Sequence, residues 1–283
     1  MPLNETTSAQ RVISISDKEF DRIAKLVYTN FGINLTDSKK SLVIGRLQKV
    51  LKKHDFNSFN EYIEHIEKGD KGALTELVNR ISTNHTFFYR EYSHFEFFEK
   101  KAIPEAIAYR KKEGNRKIKL WCAAASKGDE PYTIMIHLMR TLGRDYPTFG
   151  SGLLATDISE DALREAVEGV YSHDRIDKID RQTINQYFDQ VNGKYRVKDE
   201  LRREILFRKF NLMTPVFPFK GDFDMVFCRN VMIYFDEKTK AELANKIYNQ
   251  LRVGGYLYIG HSETLNGLGT QFKHVQSAIY QKV

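Results

Sequence analysis

Cysteine is nearly absent from this 283-residue chain: Cys122 and Cys228 stand alone, with no Cys-x-x-Cys pair. That scarcity excludes a disulfide-built scaffold and a thiolate metal site, so no metal is expected, and each thiol reads as a small hydrophobe ending an apolar run. No run of about 18 apolar residues occurs, and the polar opening Met1 to Gln10 has no signal-peptide core. The expectation is a cytoplasmic protein with no direct membrane insertion. Gly-x-Gly-x-x-Gly and Gly-x-x-x-x-Gly-Lys-Ser/Thr are both missing, which removes the usual fingerprints of dinucleotide binding and triphosphate hydrolysis. Repeats and low-complexity tracts are missing as well.

What is present is globular: 41% hydrophobic and 12% aromatic residues. Lys and Arg exceed Asp and Glu by 44 to 37, a net +7 that favours an acidic partner without naming its kind. Residues from about Ser16 to Ile81 read as helices only. Ser16 and Glu19 form a capping box ahead of Phe20, Ile23, Ala24, Val27 and Tyr28 at helical spacing. Gly32 stops that helix, and Thr36 or Asp37 caps a second one reaching about His54. Val43, Leu47, Val50 and Leu51 share one face of it, and Lys39, Arg46, Lys49 and Lys53 the neighbouring face. Between Ser38 and His54 there are six basic residues and no acidic one, which suggests a docking surface for an acidic helix bundle or for phosphates.

Residues 83–117 read as a linker and leading helix. Within it, Arg90 follows an aromatic block, where a guanidinium needs an anionic partner. From 118 the pattern alternates strands and helices: 118–124, 152–157, 205–210, 223–228, 256–259 and 278–283 are short, apolar and strand-like. This predicts a doubly wound α/β domain with a mostly parallel sheet over 118–283. An insertion at 171–203 contains Asn192-Gly193 between two strand-like runs, a hairpin signal because a type I′ turn needs positive φ at both positions.

Ligands of such sheets bind at the carboxyl ends of strands. Three ends carry polar residues: 125–130, Asp157, and Arg229-Asn230. The first follows an apolar run with Ala123-Ala124-Ala125 and a Gly128 turn before a helix, so small residues and the N–H groups of a helix start face a ligand. Asp157 suits two ribose hydroxyls, although it could equally cap the next helix. Asp129 and Glu130 suit a cofactor carrying positive charge rather than phosphates, and S-adenosylmethionine, with a sulfonium and an ammonium, has that chemistry.

Five ordered motifs, Ser-Thr-Asn-x-Thr-x-Phe-x-Arg-Glu at 82–91, Ala-Ala-Ala-Ser-x-Gly-x-Glu-Pro-Tyr at 123–132, Thr-Asp-Ile at 156–158, Phe-Cys-Arg-Asn-Val-Met-Ile-Tyr-Phe at 227–235 and Gly-His-Ser-Glu at 260–263, together resemble the CheR-type chemotaxis receptor methyltransferases. The resemblance implies an S-adenosylmethionine-dependent methyltransferase sheet behind an N-terminal all-helical receptor-docking domain (1–82). It implies methyl transfer from S-adenosylmethionine to glutamate side chains of chemoreceptors, leaving S-adenosylhomocysteine. Carried over by motif, the cofactor residues are Asn84, Thr86, Arg90, Ala123, Glu130, Asp157, Asn211, Leu212, Arg229 and Asn230. Arg90 and Tyr234 are the expected active-site pair. Lys39, Arg46, Lys49 and Lys53 become the expected receptor-docking set, and the partner is the cytoplasmic helical bundle of a methyl-accepting receptor. Some members grip a receptor tail peptide through a long glycine-rich hairpin loop. The loop 189–194 is short here, so no tether peptide is expected, nor more than a monomer.

Two other readings are weighed. A nucleic-acid methyltransferase suits the positive charge, but Arg229-Asn230-Val231-Met232 stands where Asn/Asp-Pro-Pro-Tyr is commonly found, so no nucleic acid is expected as partner. A non-catalytic cofactor-binding sensor is the reading of a different class, disfavoured by the intact polar set.

Overall fold

The computed structural model describes residues 13–82 and 84–283. The polar opening Met1 to Gln10 and Thr83 lie outside the described residues. The chain divides into two units, 1–30 with 34–82 and 31–33 with 83–283. No helix among the described residues is long and apolar enough to cross a membrane.

The smaller unit is built of helices Asp17–Phe31, Lys40–Lys53, Phe59–Glu67 and Lys71–Ile81. The Ser16 N–H donates to Glu19 Oε2 at 2.7 Å and the Glu19 N–H to Ser16 Oγ at 3.3 Å, the reciprocal pair of a capping box. Phe20, Ile23 and Val27 bury one face of that helix, and Val43, Leu47, Val50 and Leu51 one face of the next. The second helix starts differently from expectation. A 3-10 turn Asp37–Lys39 precedes it, and the Thr36 hydroxyl meets Ser38 Oγ at 2.8 Å instead of capping.

The basic face also needs correction. Its own helix holds no acid, but neighbouring helices supply them: Lys53 lies 3.1 Å from Glu76, and Lys40 pairs with Asp17. Arg46 donates to the Ile81 carbonyl at 2.5 Å, satisfying the last turn of helix Lys71–Ile81. Lys39 and Lys49 stay exposed.

The larger unit contains ten strands: β1 Lys119–Cys122, β2 Gly152–Asp157, β3 Val170–Tyr171, β4 Phe188–Val191, β5 Lys194–Val197, β6 Ile205–Lys209, β7 Phe223–Phe227, β8 Leu251–Tyr258, β9 Lys273–Gln276 and β10 Ile279–Gln281. Seven form one sheet in the order β6-β2-β1-β7-β8-β10-β9, and β3-β5-β4 form a small second sheet. Strands β6, β2, β1, β7 and β8 are parallel, while β10 runs antiparallel to both neighbours. Helices cover both faces: Asp129–Leu142 packs Tyr132, Met135 and Leu138 into one apolar cluster, and Glu237–Gln250 packs Leu243 and Ile247 into another around Trp121. The strand order reverses beside β1, so the crevice at the carboxyl ends of β1 and β7 is where a ligand belongs.

The inserted hairpin has Asn192 at φ 50° and Gly193 at φ 73°, as a type I′ turn requires. Other details depart from expectation. Strand β6 is an edge strand with Leu206 exposed rather than apolar on both faces. Strand β8 begins at Leu251, well before Tyr256, and β9 has no counterpart in the periodicity. The extension passes through a register shift against β7 at Gly254-Gly255, where a Cβ on Gly255 would sit 2.9 Å from the Arg252 carbonyl and 3.0 Å from the Asp224 carbonyl.

A buried charge cluster pins the start of the sheet. Asp224, fully buried in β7, accepts from Arg110 Nε at 2.9 Å, Arg252 Nε at 2.6 Å and the Lys119 N–H at 2.9 Å. It thereby ties β1, β7 and β8 to helix Ile103–Lys112. Removing Asp224 takes the carboxylate partner from buried Arg252 and leaves Arg110 with Asp222 alone, at about 3–5 kcal/mol. Asp224→Ala is expected to lose that much stability, read as a fall in the urea midpoint of unfolding.

Candidate active site

The loop after β1 spends its own N–H groups internally. Ala123 donates to the Phe227 carbonyl at 2.8 Å, Ala125 to Thr156 at 2.9 Å and Gly128 to Ala125 at 3.0 Å. The Ser126 N–H donates to Asp157 Oδ2 at 2.7 Å. These four donors, all ahead of the helix that opens at Asp129, are occupied within the loop, so fewer N–H groups remain to cradle a phosphate. Ser126 at φ 47° and Gly128 at φ 93° fold the turn, and a Cβ on Gly128 would approach the Tyr171 hydroxyl to 2.7 Å.

Asp157 ends β2 almost fully buried. Its second oxygen accepts the Ser159 N–H at 2.8 Å, and Ser159, not Asp157, caps helix Glu160–Glu168 by accepting from Ala162. Burial pushes the Asp157 carboxyl above the ordinary range, opposed by the backbone N–H groups of Ser159, Ser126 and Ile158. A carboxylate has about four lone-pair sites, so it retains acceptor capacity beyond these bonds.

Arg229, directly after β7 and Cys228, is the buried centre of a second network. Its Nη1 donates to Glu130 Oε2 at 2.6 Å, and its Nη2 to the Arg90 carbonyl at 2.5 Å and to Glu91 Oε2 at 3.1 Å. The Cys122 thiol reaches the other Glu130 oxygen at 3.4 Å. Burial pushes the Glu130 carboxyl up despite the adjacent guanidinium. At Glu91 the balance reverses. Burial raises it, but Arg229, the Asn230 amide and the His261 N–H together hold it below the ordinary value.

Asn230 sits at φ 56°, and its amide packs so closely on Gly260 that a Cβ there would overlap it. Glu263 then organises the turn that carries Tyr234. It accepts the N–H groups of Asn230 at 3.0 Å, Ile233 at 3.0 Å and Gly260 at 2.5 Å. Tyr234 ends the short helix Met232–Tyr234 and packs against the Trp121 cluster. Sequence reasoning assigned no role to Glu91 or Glu263. Both stood inside quoted motifs, as the acid after Arg90 and the acid after His261-Ser262.

From the linker, Asn84 Oδ1 accepts from Ser126 Oγ at 3.2 Å. Arg90 donates from Nη1 to the His85 carbonyl at 3.0 Å and lies 5.7 Å from the Phe87 ring centre. Thr86 and Asn84 line a groove of about 400 Å³. The Phe210 N–H donates to the Asp157 carbonyl at 2.9 Å, bringing Asn211 and Leu212 alongside β2. Asn211 accepts the Met213 N–H, and the Leu212 carbonyl accepts from Lys246 Nζ at 2.6 Å. Hydrogen bonds thus link Asn84 through Ser126 to Asp157, and Glu130 through Arg229 to Arg90 and, by way of Glu91, to Asn230.

One cluster has the residue types of a metal site: ligand atoms of Glu91, His94 and His261 lie within 4.8 Å of one another. Burial and the nearby Arg229 push the His94 imidazole down to about 3, so it is neutral. Both Glu91 oxygens, however, already accept from Arg229, Asn230 and the His261 N–H. Glu91 pairs with Arg229, and the neutral His94 ring packs edge-on against Tyr258 and His261.

The carboxylates of Glu91, Glu130 and Asp157 outnumber the guanidiniums of Arg90 and Arg229. A cofactor with a sulfonium, an ammonium and a single carboxylate matches that surplus, and the residues present fit it. Because Glu130 and Asp157 carry raised carboxyl values in the free protein, binding a cation favours their ionised forms and releases protons. Affinity for S-adenosylmethionine is expected to fall as pH drops through the raised values, starting above the ordinary carboxylate range of about 4. Calorimetric titration between about pH 8 and pH 5 checks this, and Glu130→Gln should weaken binding and flatten the profile.

Residues 84–281 match the family model described as CheR methyltransferase, SAM binding domain, and residues 18–82 the model described as CheR methyltransferase, all-alpha domain. A chemotaxis protein methyltransferase of Borreliella burgdorferi is 43% identical over 272 residues, covering 95% of this chain and 96% of that one. One from Escherichia coli K12 is 33% identical over 273 residues, covering 95% and 92%. With both models matched in order along nearly its whole length, the chain belongs to the CheR methyltransferase family.

Proposed function

We propose that this protein transfers a methyl group from S-adenosylmethionine to glutamate side chains on the cytoplasmic helices of chemoreceptors, forming glutamyl methyl esters. Methylation from S-adenosylmethionine in chemotaxis follows from family membership; the glutamate acceptor is the finer step. The observation that carries the reading is the Glu130–Arg229–Glu91 network at the carboxyl ends of β1 and β7, with Arg90 held beside it.

Bound there, the cofactor would supply an electrophilic methyl on a positively charged sulfur, and that sulfur would keep the bonding electron pair as the acceptor's carboxylate oxygen bonds to the methyl. Glu130 and Asp157 hold its ammonium and ribose, Ala123 to Ala125 allow close approach, and Asn84, Thr86, Asn211, Leu212, Arg229 and Asn230 complete the walls. A glutamate side chain is ionised at neutral pH, with a reference value of about 4.3, so no general base is needed. The protein's task is orientation, which can supply about 7–11 kcal/mol when reacting atoms are aligned. Arg90 has five N–H donors and uses one on His85, leaving others for the incoming carboxylate. The Tyr234 hydroxyl is the second orienting group, and its backbone is fixed by the turn that Glu263 holds. Positioning must outweigh tight ion pairing, because ground-state binding alone does not accelerate transfer.

In the helical unit, Lys39 and Lys49 carry the receptor-docking role, with Lys53 shared with Glu76 and Arg46 engaged in helix capping. The two-residue hairpin turn offers no long glycine-rich loop, so the reading includes no grip on a receptor tail peptide; separately, it takes the chain as a monomer.

Incubation with methyl-labelled cofactor and receptor-bearing membranes should place base-labile label on the receptor. Label on nucleic acid, or none, would overturn the reading. Arg90→Ala should lower kcat/KM about 10–100-fold and Tyr234→Phe about tenfold, a loss of roughly 1.4–2.8 kcal/mol of transition-state stabilisation; full turnover with unchanged substrate affinity in both would remove them from the mechanism. Lys39→Glu with Lys49→Glu should raise KM for receptor several-fold at low salt and leave cofactor affinity unchanged, because exposed charges steer encounter and are screened by salt.

A further inference from the structure

The groove lined by Asn84 and Thr86 has a second wall, from the segment after β3 in the inserted subdomain, that includes Arg175, Asp177 and Lys178. Its cations differ in what they touch. Arg175 is bidentate to Asp129, with both contacts at 2.5 Å, and Lys127 lies 2.8 Å from Glu165. Lys178 is exposed, and among the described residues no carboxylate comes within ion-pair reach of it. Its ammonium lies instead 4.7 Å from the centre of the Phe87 ring.

The same ring carries the Arg90 guanidinium at 5.7 Å. Two cations from separate segments therefore share one aromatic side chain, Phe87, which lines the groove. A ring quadrupole attracts each weakly, while like charges brought together repel. The carboxylate nearest Arg90 is Glu91, 4.0 Å away, and its oxygens already serve Arg229, Asn230 and His261. Lys178 thus lacks an anion and Arg90 shares its one acid with three other donors, and an ionised side chain that reaches both cations supplies what is missing.

We propose that Lys178 and Arg90 form a two-point clamp on the carboxylate of the substrate glutamate, with Phe87 holding the two cations in register. The inference rests on the reading of the site as a glutamate O-methyltransferase. With about four lone-pair sites available, the clamp occupies one side of the carboxylate and leaves an oxygen free to attack. Esterification removes the negative charge, so the clamp loses its hold on the product and release follows from the chemistry itself. Asp177 in the same wall disfavours a polyanion such as a nucleic-acid backbone while tolerating a single carboxylate.

The test is steady-state methylation of receptor-bearing membranes by the full chain and by Lys178→Glu, Lys178→Ala and Lys178→Arg, with S-adenosylhomocysteine affinity measured alongside. Lys178→Glu should raise KM for receptor about 10-fold and Lys178→Ala about 3-fold, with kcat within about twofold, cofactor affinity unchanged and Lys178→Arg close to wild type. The gap between wild type and Lys178→Glu should narrow as salt is raised. A KM for Lys178→Glu within twofold of a wild type that methylates receptor overturns the clamp and leaves the function standing. A changed S-adenosylhomocysteine affinity in Lys178→Ala also overturns it, by placing Lys178 on the cofactor. A wild type that transfers no label to receptor overturns the functional reading and the clamp with it.

Discussion

The candidate site depends on one buried guanidinium. Arg229 is divided between Glu130, Glu91 and the Arg90 carbonyl, so a single side chain after β7 holds the helix that follows β1 and the linker that precedes the sheet. A buried charge is stable only when paired and hydrogen-bonded, and here the pairing itself sets the walls. Glu91 passes the restraint on to Asn230 and to the His261 backbone, and Glu263 continues it into the turn bearing Tyr234. Left-handed backbone at Glu91, Ser126 and Asn230 is held in place by these bonds.

The same charges explain why the loop after β1 can be poor in glycine. A loop that binds phosphate aims several N–H groups outward. This one turns four of them inward, onto Phe227, Thr156, Ala125 and Asp157, and places the carboxylates of Glu130 and Asp157 beside them. Desolvation makes those carboxylates costly when empty, which raises Glu130 and Asp157 in the free protein and couples them to a cation.

Local features were legible in the sequence because a few neighbouring residues determine them. The Ser16–Glu19 box, the Asn192-Gly193 hairpin and the alternation of short apolar strands with helices all follow from spacing alone, and the doubly wound sheet follows from the alternation. The early start of β8 was hidden because Gly254-Gly255 reads as a turn until the Asp224 and Arg252 carbonyls crowd it from outside. Arg46 looked like part of a docking stripe because the carbonyls it satisfies belong to another helix. At the site, the motif strings named the positions of Arg229, Asn230 and Glu130. Glu91 gained no role from the sequence, since its partners lie 138–170 residues further on.

Those separations bear on how the protein is made. Arg229 meets Arg90, Glu91 and Glu130 across 139, 138 and 99 residues, and the His261 N–H reaches Glu91 across 170. Contacts of such long range form late, because chain closure must precede them. A nascent chain that has emerged only through β2 already carries Glu130 and Asp157, yet has no guanidinium to hold the first in place. The Glu130–Arg229 pair thus arrives only with the last fifth of the chain.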